Sequence, residues 1–104
     1  MNAARGEVWL YEHPARKRRP ALILSRDDLI EENLDVIAVP TTGTIRGTPT
    51  EIQIGVADGM PIECVLVVAN TFSAQRVYLT KHITTLEAVR MSEVCRMLAW
   101  STGC

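Results

Sequence analysis

Short runs of β-branched and aromatic residues, bounded by glycine, proline or Asp-Gly, fill most of this chain before any sustained helical period begins. That order restricts the fold more than any other feature. Glu7–Glu12, between Gly6 and His13-Pro14, reads as a first strand, and Pro20–Ser25 as a second, because proline is tolerated where a strand opens and its missing N–H falls outside the ladder. The short loop His13–Arg18 makes them a hairpin with basic residues at its tip. Ser25-Arg26-Asp27-Asp28 has the form of a cap with acidic residues in the first turn of a short helix ending near Asn33. Asp35–Val39 is expected to be a buried strand stopped by Pro40. After the polar loop Thr41–Pro49 comes a period-2 strand over Thr50–Ile54, and Asp58-Gly59 supplies the next turn. Glu63–Asn70 is the most apolar run and is expected at the centre of a sheet, with a weaker segment, Phe72–Leu79, paired to it. Thr84 and Glu87 fit a capping box. Met91, Val94, Cys95 and Leu98 then fall on one helical face, which predicts an amphipathic helix over Leu86–Leu98 covering one side of the sheet. The fold class is α+β and mainly β: a small, strongly bent antiparallel sheet or barrel with peripheral helices, one domain over residues 1–104.

With 47% hydrophobic residues in 104, the chain can bury a single core but has no material for a second lobe. Its net charge of −1 argues against a protein that coats nucleic acid non-specifically, yet the basic residues Arg16, Lys17, Arg18 and Arg19 are contiguous, and a local patch can still hold a polyanion. Cys64, Cys95 and Cys104 are an odd set without metal-type spacing, two of them in apolar surroundings, as suits a reducing cytoplasm. No charged-then-apolar leader pattern and no apolar run near the roughly 18 residues of a membrane span is present, so a soluble protein without membrane partners is expected. No two histidines stand four apart, no glycine loop ends in Gly-Lys-Ser/Thr, and no serine elbow occurs. Metal-dependent hydrolase, nucleotide-binding and serine-hydrolase signatures are thus absent, and no cofactor or metal is implied.

The Arg16–Arg19 cluster admits two readings: a solvated charge run, or an anion site in which Pro20 fixes the approach of Arg19 so that its guanidinium fork can engage a phosphate bidentately. Thr42 is either a turn threonine or a hydrogen-bond donor to the same anion. His13 and His82 are the only imidazoles, each more at home as a surface or packed residue than as a catalytic one. Trp9 and Trp100 are read as packing residues, although strand aromatics can stack on bases. Thr41, Thr44, Arg46 and Asn70 are polar groups suited to lining a groove for unpaired bases, with Phe72 as a stacking surface; ordinary loop polarity and packing is the competing reading.

Taken in order, Arg5-Gly6-Glu7-Val8-Trp9, Arg19-Pro20-Ala21-Leu22-Ile23-Leu24-Ser25 and Val36-Ile37-Ala38-Val39-Pro40-Thr41-Thr42, followed by Pro49–Ile54, the strand ending at Asn70, and Leu79-Thr80 with Ile83–Leu86, resemble the MazF/PemK family of toxin endoribonucleases from bacterial type II toxin–antitoxin pairs. The resemblance spans almost the whole chain. It implies an SH3-like barrel or bent sheet, metal-independent and sequence-selective cleavage of single-stranded RNA, a cognate MazE-like antitoxin and a homodimer. It places the family's catalytic arginine on Arg19 and its catalytic threonine or serine on Thr42. Beside it, the residue types themselves make Arg16, Lys17, Arg18, Thr41, Thr44, Arg46, Asn70 and Phe72 the expected RNA contacts. Two departures stand out. The first hairpin loop is short, leaving Glu12 or His13 as the alternatives for a general base, and the family's Asp-Gln-Ile-Arg stretch reads Ala69-Asn70-Thr71-Phe72. The competing readings are a non-cleaving nucleic-acid- or gyrase-binding module of the same fold, against which retention of both Arg19 and Thr42 weighs, and a degenerate toxin that only binds antitoxin, which the altered Ala69–Phe72 stretch favours.

Overall fold

The protein's computed structural model describes residues 3–104. β1 (Glu7–Tyr11) and β2 (Arg19–Ile23) form the expected antiparallel hairpin, with Val8 opposite Leu22 and Tyr11 opposite Arg19. A single helical turn, α1 (Asp27–Ile30), follows, shorter than the sequence suggests. It starts after Arg26 rather than Ser25, whose hydroxyl instead accepts the Ile37 backbone N–H at 2.7 Å and ties the end of β2 to β3 (Asp35–Thr42). β4 (Glu51–Ile54) and β5 (Cys64–Val67) form a second hairpin, β6 (Phe72–Gln75) and β7 (Leu79–Thr85) complete the strands, and α2 (Ala88–Thr102) closes the chain.

Strand order is β4-β5-β3-β2-β1-β7, an open path without barrel closure, and β6 pairs with β3. It is the bent sheet, rather than a closed barrel, that forms. Bending originates in β3. Its first half, Asp35–Ala38, pairs with β6, whereas Thr41 and Thr42 pair with β5 on the same edge. Between the two pairings the chain on that edge leaves the ladder as a 3-10 turn, Val68–Asn70. Pro40 therefore does not stop β3 as the sequence predicts: the strand runs on to Thr42, because the missing N–H falls in the gap where neither β5 nor β6 offers a partner. For the same reason the apolar run Glu63–Asn70 is not one strand but ends its pairing at Val67, and Phe72–Gln75 pairs with β3, not with that run.

Side chains of β2 alternate between two cores, as a strand buried on both faces requires. Leu22 and Leu24 join Val8, Val39, Ile54, Leu66 and Val94 beneath α2, while Ala21 and Ile23 join Tyr11, Val36, Ala38 and Leu79 on the opposite face. The apolar stripe of α2 is Met91, Val94, Met97 and Leu98. Cys95, expected on the stripe, is exposed, with Met97 packed against the core instead, and the helix runs past Leu98 to Thr102. The capping box does not form: Glu87 precedes the first turn without a side-chain cap, and Thr84 belongs to β7, its hydroxyl donating to the Asp58 carbonyl at 2.9 Å. Trp9 packs beside His82, but Trp100, expected to be packed, is 66% exposed on α2. No helix is long and apolar enough to cross a membrane among the described residues.

Candidate active site

Pairing of Ala21 with Pro40 sets the first residues of β2 level with the last residues of β3, which brings Arg19 beside Thr41 and Thr42 although they are more than twenty positions apart. Two bonds fasten this junction. Arg19 Nη1 donates to the Thr41 carbonyl at 3.3 Å, and the buried Thr41 hydroxyl donates to the Pro20 carbonyl at 2.8 Å. Thr41, a sequence-based candidate for RNA contact, therefore has its hydroxyl turned inward, and it serves the site through the carbonyl that steadies Arg19. Thr42 is half-buried; its Oγ1 accepts the Thr44 N–H at 3.2 Å, which leaves the hydroxyl hydrogen for an outside acceptor.

Arg19 and Thr42 stand where two clefts meet. The first, about 440 Å³, is lined by Arg16, Lys17, Arg19, Thr41, Thr42, Thr44, Arg46, Asn70 and Phe72, so nearly all the sequence-based candidates converge on it. The turn Val68–Asn70, forced out of the ladder over Pro40, is what carries Asn70 to the wall. The second, about 320 Å³, shares Lys17, Arg19 and Thr42, adds Arg18, and runs toward Met60–Ile62. Glu51 Oε1 accepts the N–H groups of Arg46 and Gly47 at 3.1 and 2.9 Å, and thereby shapes the Thr41–Pro49 loop over the first cleft.

The charge of the first cleft is one-sided. Four cationic side chains, Arg16, Lys17, Arg19 and Arg46, line it, and no carboxylate does. Against a net charge of −1 for the whole chain, this is a concentrated cationic surface. Among the described residues, no group of three or more His, Cys, Asp or Glu is placed to hold a metal ion.

Glu12 and His13 lie outside both clefts. The Glu12 carboxylate accepts a hydrogen bond from the Thr80 hydroxyl and one from Arg18 at 3.3 Å, and these hold it below the usual glutamate range, the Thr80 bond most. A carboxylate so engaged is a weak proton acceptor. The His13 ring packs edge-on against Tyr78, centroids 4.7 Å apart, with Nδ1 accepting the Ala15 N–H at 3.0 Å. The aromatic side chain of Tyr11 also lines the groove, which the sequence reading missed. Tyr11 lies on the wall while its hydroxyl accepts the Gln75 N–H at 3.2 Å; its place in a strand pattern gave no sign of that second role.

The profile of a family described as PemK-like, MazF-like toxin of type II toxin–antitoxin systems matches residues 4–102. The chain belongs to the PemK/MazF toxin family. A relative from Mycobacterium tuberculosis, described as probable endoribonuclease MazF2, is 35% identical over 101 residues, covering 96% of this chain and 98% of the relative. Another from the same organism, probable endoribonuclease MazF5, is 31% identical over 102 residues, with 97% and 94% covered. Among solved structures, a mycobacterial endoribonuclease in complex with its cognate antitoxin superposes with a TM-score of 0.85 at 25% identity, covering 97% of this chain and 95% of that one. A MazE–MazF complex from Deinococcus radiodurans gives 0.84 at 25% identity, with 99% and 98% covered. The PemK/MazF assignment thus rests on nearly the full length of the chain, and the cleft holding Arg19 and Thr42 is built from its β2 and β3 strand ends and the loops beside them.

Proposed function

We propose that this PemK/MazF family member is the toxin of a type II toxin–antitoxin pair, a cytoplasmic, homodimeric endoribonuclease that cuts single-stranded RNA without a metal ion. The observation that carries the reading is the first cleft, with four cations, no carboxylate, and Arg19 and Thr42 side by side at its junction with the second. In this reading the ribose 2′-oxygen attacks the adjacent phosphorus and the bond to the 5′-oxygen breaks. The 2′-hydroxyl loses its proton and the leaving 5′-oxygen gains one, so the products are a 2′,3′-cyclic phosphate and a 5′-hydroxyl. Negative charge grows on the non-bridging oxygens as the new bond forms. Arg19, steadied by Thr41, presents its remaining N–H groups to that charge, and the Thr42 hydroxyl adds a neutral donor. To act as general base, Glu12 would have to give up its bond from Thr80, and His13 would have to leave Tyr78.

Antitoxin binding follows from the same electrostatics: an extended acidic and apolar segment suits a cationic cleft as well as RNA does. The relatives solved with their antitoxins support this partner. The test is to incubate the pure protein with an unstructured RNA in EDTA and to analyse the ends. Fragments bearing 2′,3′-cyclic phosphate and 5′-hydroxyl termini are expected, together with growth arrest when the chain is expressed without its antitoxin. Cleavage that appears only on adding a divalent metal would overturn the mechanism.

A further inference from the structure

The feature of the first cleft that the cleavage chemistry leaves unused is the contact between Phe72 and Arg16. Phe72 sits at the start of β6 with its backbone opposite Ala38, half-buried, and its ring meets that of Tyr11 at 72° with centroids 5.4 Å apart. Tyr11 is itself buried and bonded to the Gln75 backbone. Phe72 is therefore a braced platform on a strand. Arg16, by contrast, is exposed on the tip of the β1–β2 hairpin, and its guanidinium carbon lies 5.0 Å from the Phe72 centroid. Among the described residues that guanidinium makes no hydrogen bond and no ion pair, so the ring is what it rests on. A guanidinium can lie over an aromatic face and can equally stack on a nucleobase.

Resting on the endoribonuclease reading, we propose that Phe72 and Arg16 are the two sides of a subsite for one unpaired RNA base, with Arg16 lifting off the ring and closing over the base that replaces it. Inserting a base requires the guanidinium to rise by roughly one stacking layer, and a hairpin tip tolerates such a shift where a strand does not. Asn70, two residues before Phe72 and on the same wall, offers both an amide donor and a carbonyl acceptor to the edge of the stacked base. The clamp lines the same cleft as Arg19 and Thr42, so the nucleotide it takes sets which phosphate reaches them. The subsite selects position along the strand; Arg19 and Thr42 act on what it delivers.

The test uses a short unstructured RNA containing a site the parent cuts, made uncleavable for binding by a 2′-deoxy sugar at the scissile nucleotide, with each neighbouring nucleotide replaced in turn by an abasic one. For the parent, one abasic position should weaken binding by about 5- to 150-fold, the worth of a single stacked base. Phe72→Leu should bind the complete RNA as weakly as the parent binds that abasic RNA, and lose no more when the abasic nucleotide is introduced. Phe72→Tyr should keep the parent pattern, and Arg16→Ala, at an exposed tip where folding is not at risk, should lose part of the position dependence and shift the cleavage sites. Equal abasic penalties in the parent, Phe72→Leu and Arg16→Ala would overturn the clamp, as would variants that bind RNA normally but lose affinity for an antitoxin peptide. A parent that neither binds nor cuts RNA would instead overturn the endoribonuclease reading itself.

Discussion

Replacing Arg19 by lysine keeps the charge and removes the fork, and the junction at the strand ends allows the consequence to be sized. A guanidinium has five N–H donors in a fixed plane. One is directed to the Thr41 carbonyl, which leaves an edge with two parallel donors for the phosphoryl oxygens. Lysine has three diverging donors; if one takes over the Thr41 carbonyl, no parallel pair remains, and one of the two bonds to the developing charge is lost. Loss of a single such donor lowers the rate by about 10²–10³, or about 2.7–4 kcal/mol of transition-state stabilisation. Arg19→Ala should fall further, having lost the charge as well. Neither change should cost the fold more than about 1 kcal/mol, since the Thr41 carbonyl can turn to water at a half-buried strand mouth. The assay is single-turnover cleavage of an end-labelled single-stranded RNA with protein in excess, in EDTA, with circular dichroism and thermal melting as folding controls. A well-folded Arg19→Lys protein that cuts at a rate close to the parent's would refute the fork and leave only a charge requirement.

Thr42→Ala removes one neutral donor beside that fork, so single-turnover cleavage should slow by about tenfold with no change in melting; an unaltered rate would return Thr42 to its role as a turn residue. Gly59 has a left-handed φ of 89°, and a Cβ there would stand 2.2 Å from the Thr84 hydroxyl, so Gly59→Ala should destabilise by about 1–3 kcal/mol in urea titration. An unchanged midpoint would show that β7 yields freely. Asp58 accepts two bonds from Arg90, at 2.9 and 3.1 Å, and one from the Gly55 N–H, and these, Arg90 first, hold its carboxyl below the ordinary aspartate range against the opposing effect of burial. Its stabilisation is therefore present above the unfolded aspartate pKa of about 3.9 and is lost as pH falls through the lower folded value. Asp58→Asn should cost about 1–3 kcal/mol at neutral pH, with the difference from the parent narrowing in acid; a gap that stays constant to low pH would remove the ion pair as its source.

The elements legible in the sequence were those whose limits are written in local chemistry. Pro20 marks the mouth of β2 to within one residue, the strand opening at Arg19 and ending at Ile23 rather than Ser25, and the 3.6 period through Met91, Val94 and Leu98 fixes the buried face of α2. What was not legible depends on partners distant in the chain. β7, Leu79-Thr80-Lys81-His82-Ile83-Thr84-Thr85, is an edge strand with a largely exposed middle, so no alternation announces it, and its polar side chains are what keep such an edge from pairing elsewhere. Pro40 looks like a stop because proline cannot donate to a ladder, but whether a donor is needed depends on the β5–β6 junction some thirty residues later. Arg19 and Thr42 were each identifiable at a strand end through family resemblance, and the register of Ala21 against Pro40 joins them. Glu12 illustrates the limit in the other direction: its residue type suits a base, and only its bond from Thr80 shows what the carboxylate holds.

A cleft with four cations and no acid, set in a chain of net charge −1, also has a thermodynamic signature in salt. Each phosphate neutralised on a single strand releases a condensed counterion with a log–log slope of about −0.7, so four contacts correspond to a slope near −3 and about a fifty-fold loss of RNA affinity between 50 and 200 mM monovalent salt. With the four cations of the cleft set aside, the rest of the chain carries a negative net charge, which disfavours a long non-specific track of RNA beyond the two adjoining clefts. Under the proposed function a short footprint of a few nucleotides is therefore expected, a brief word rather than a coat along a message.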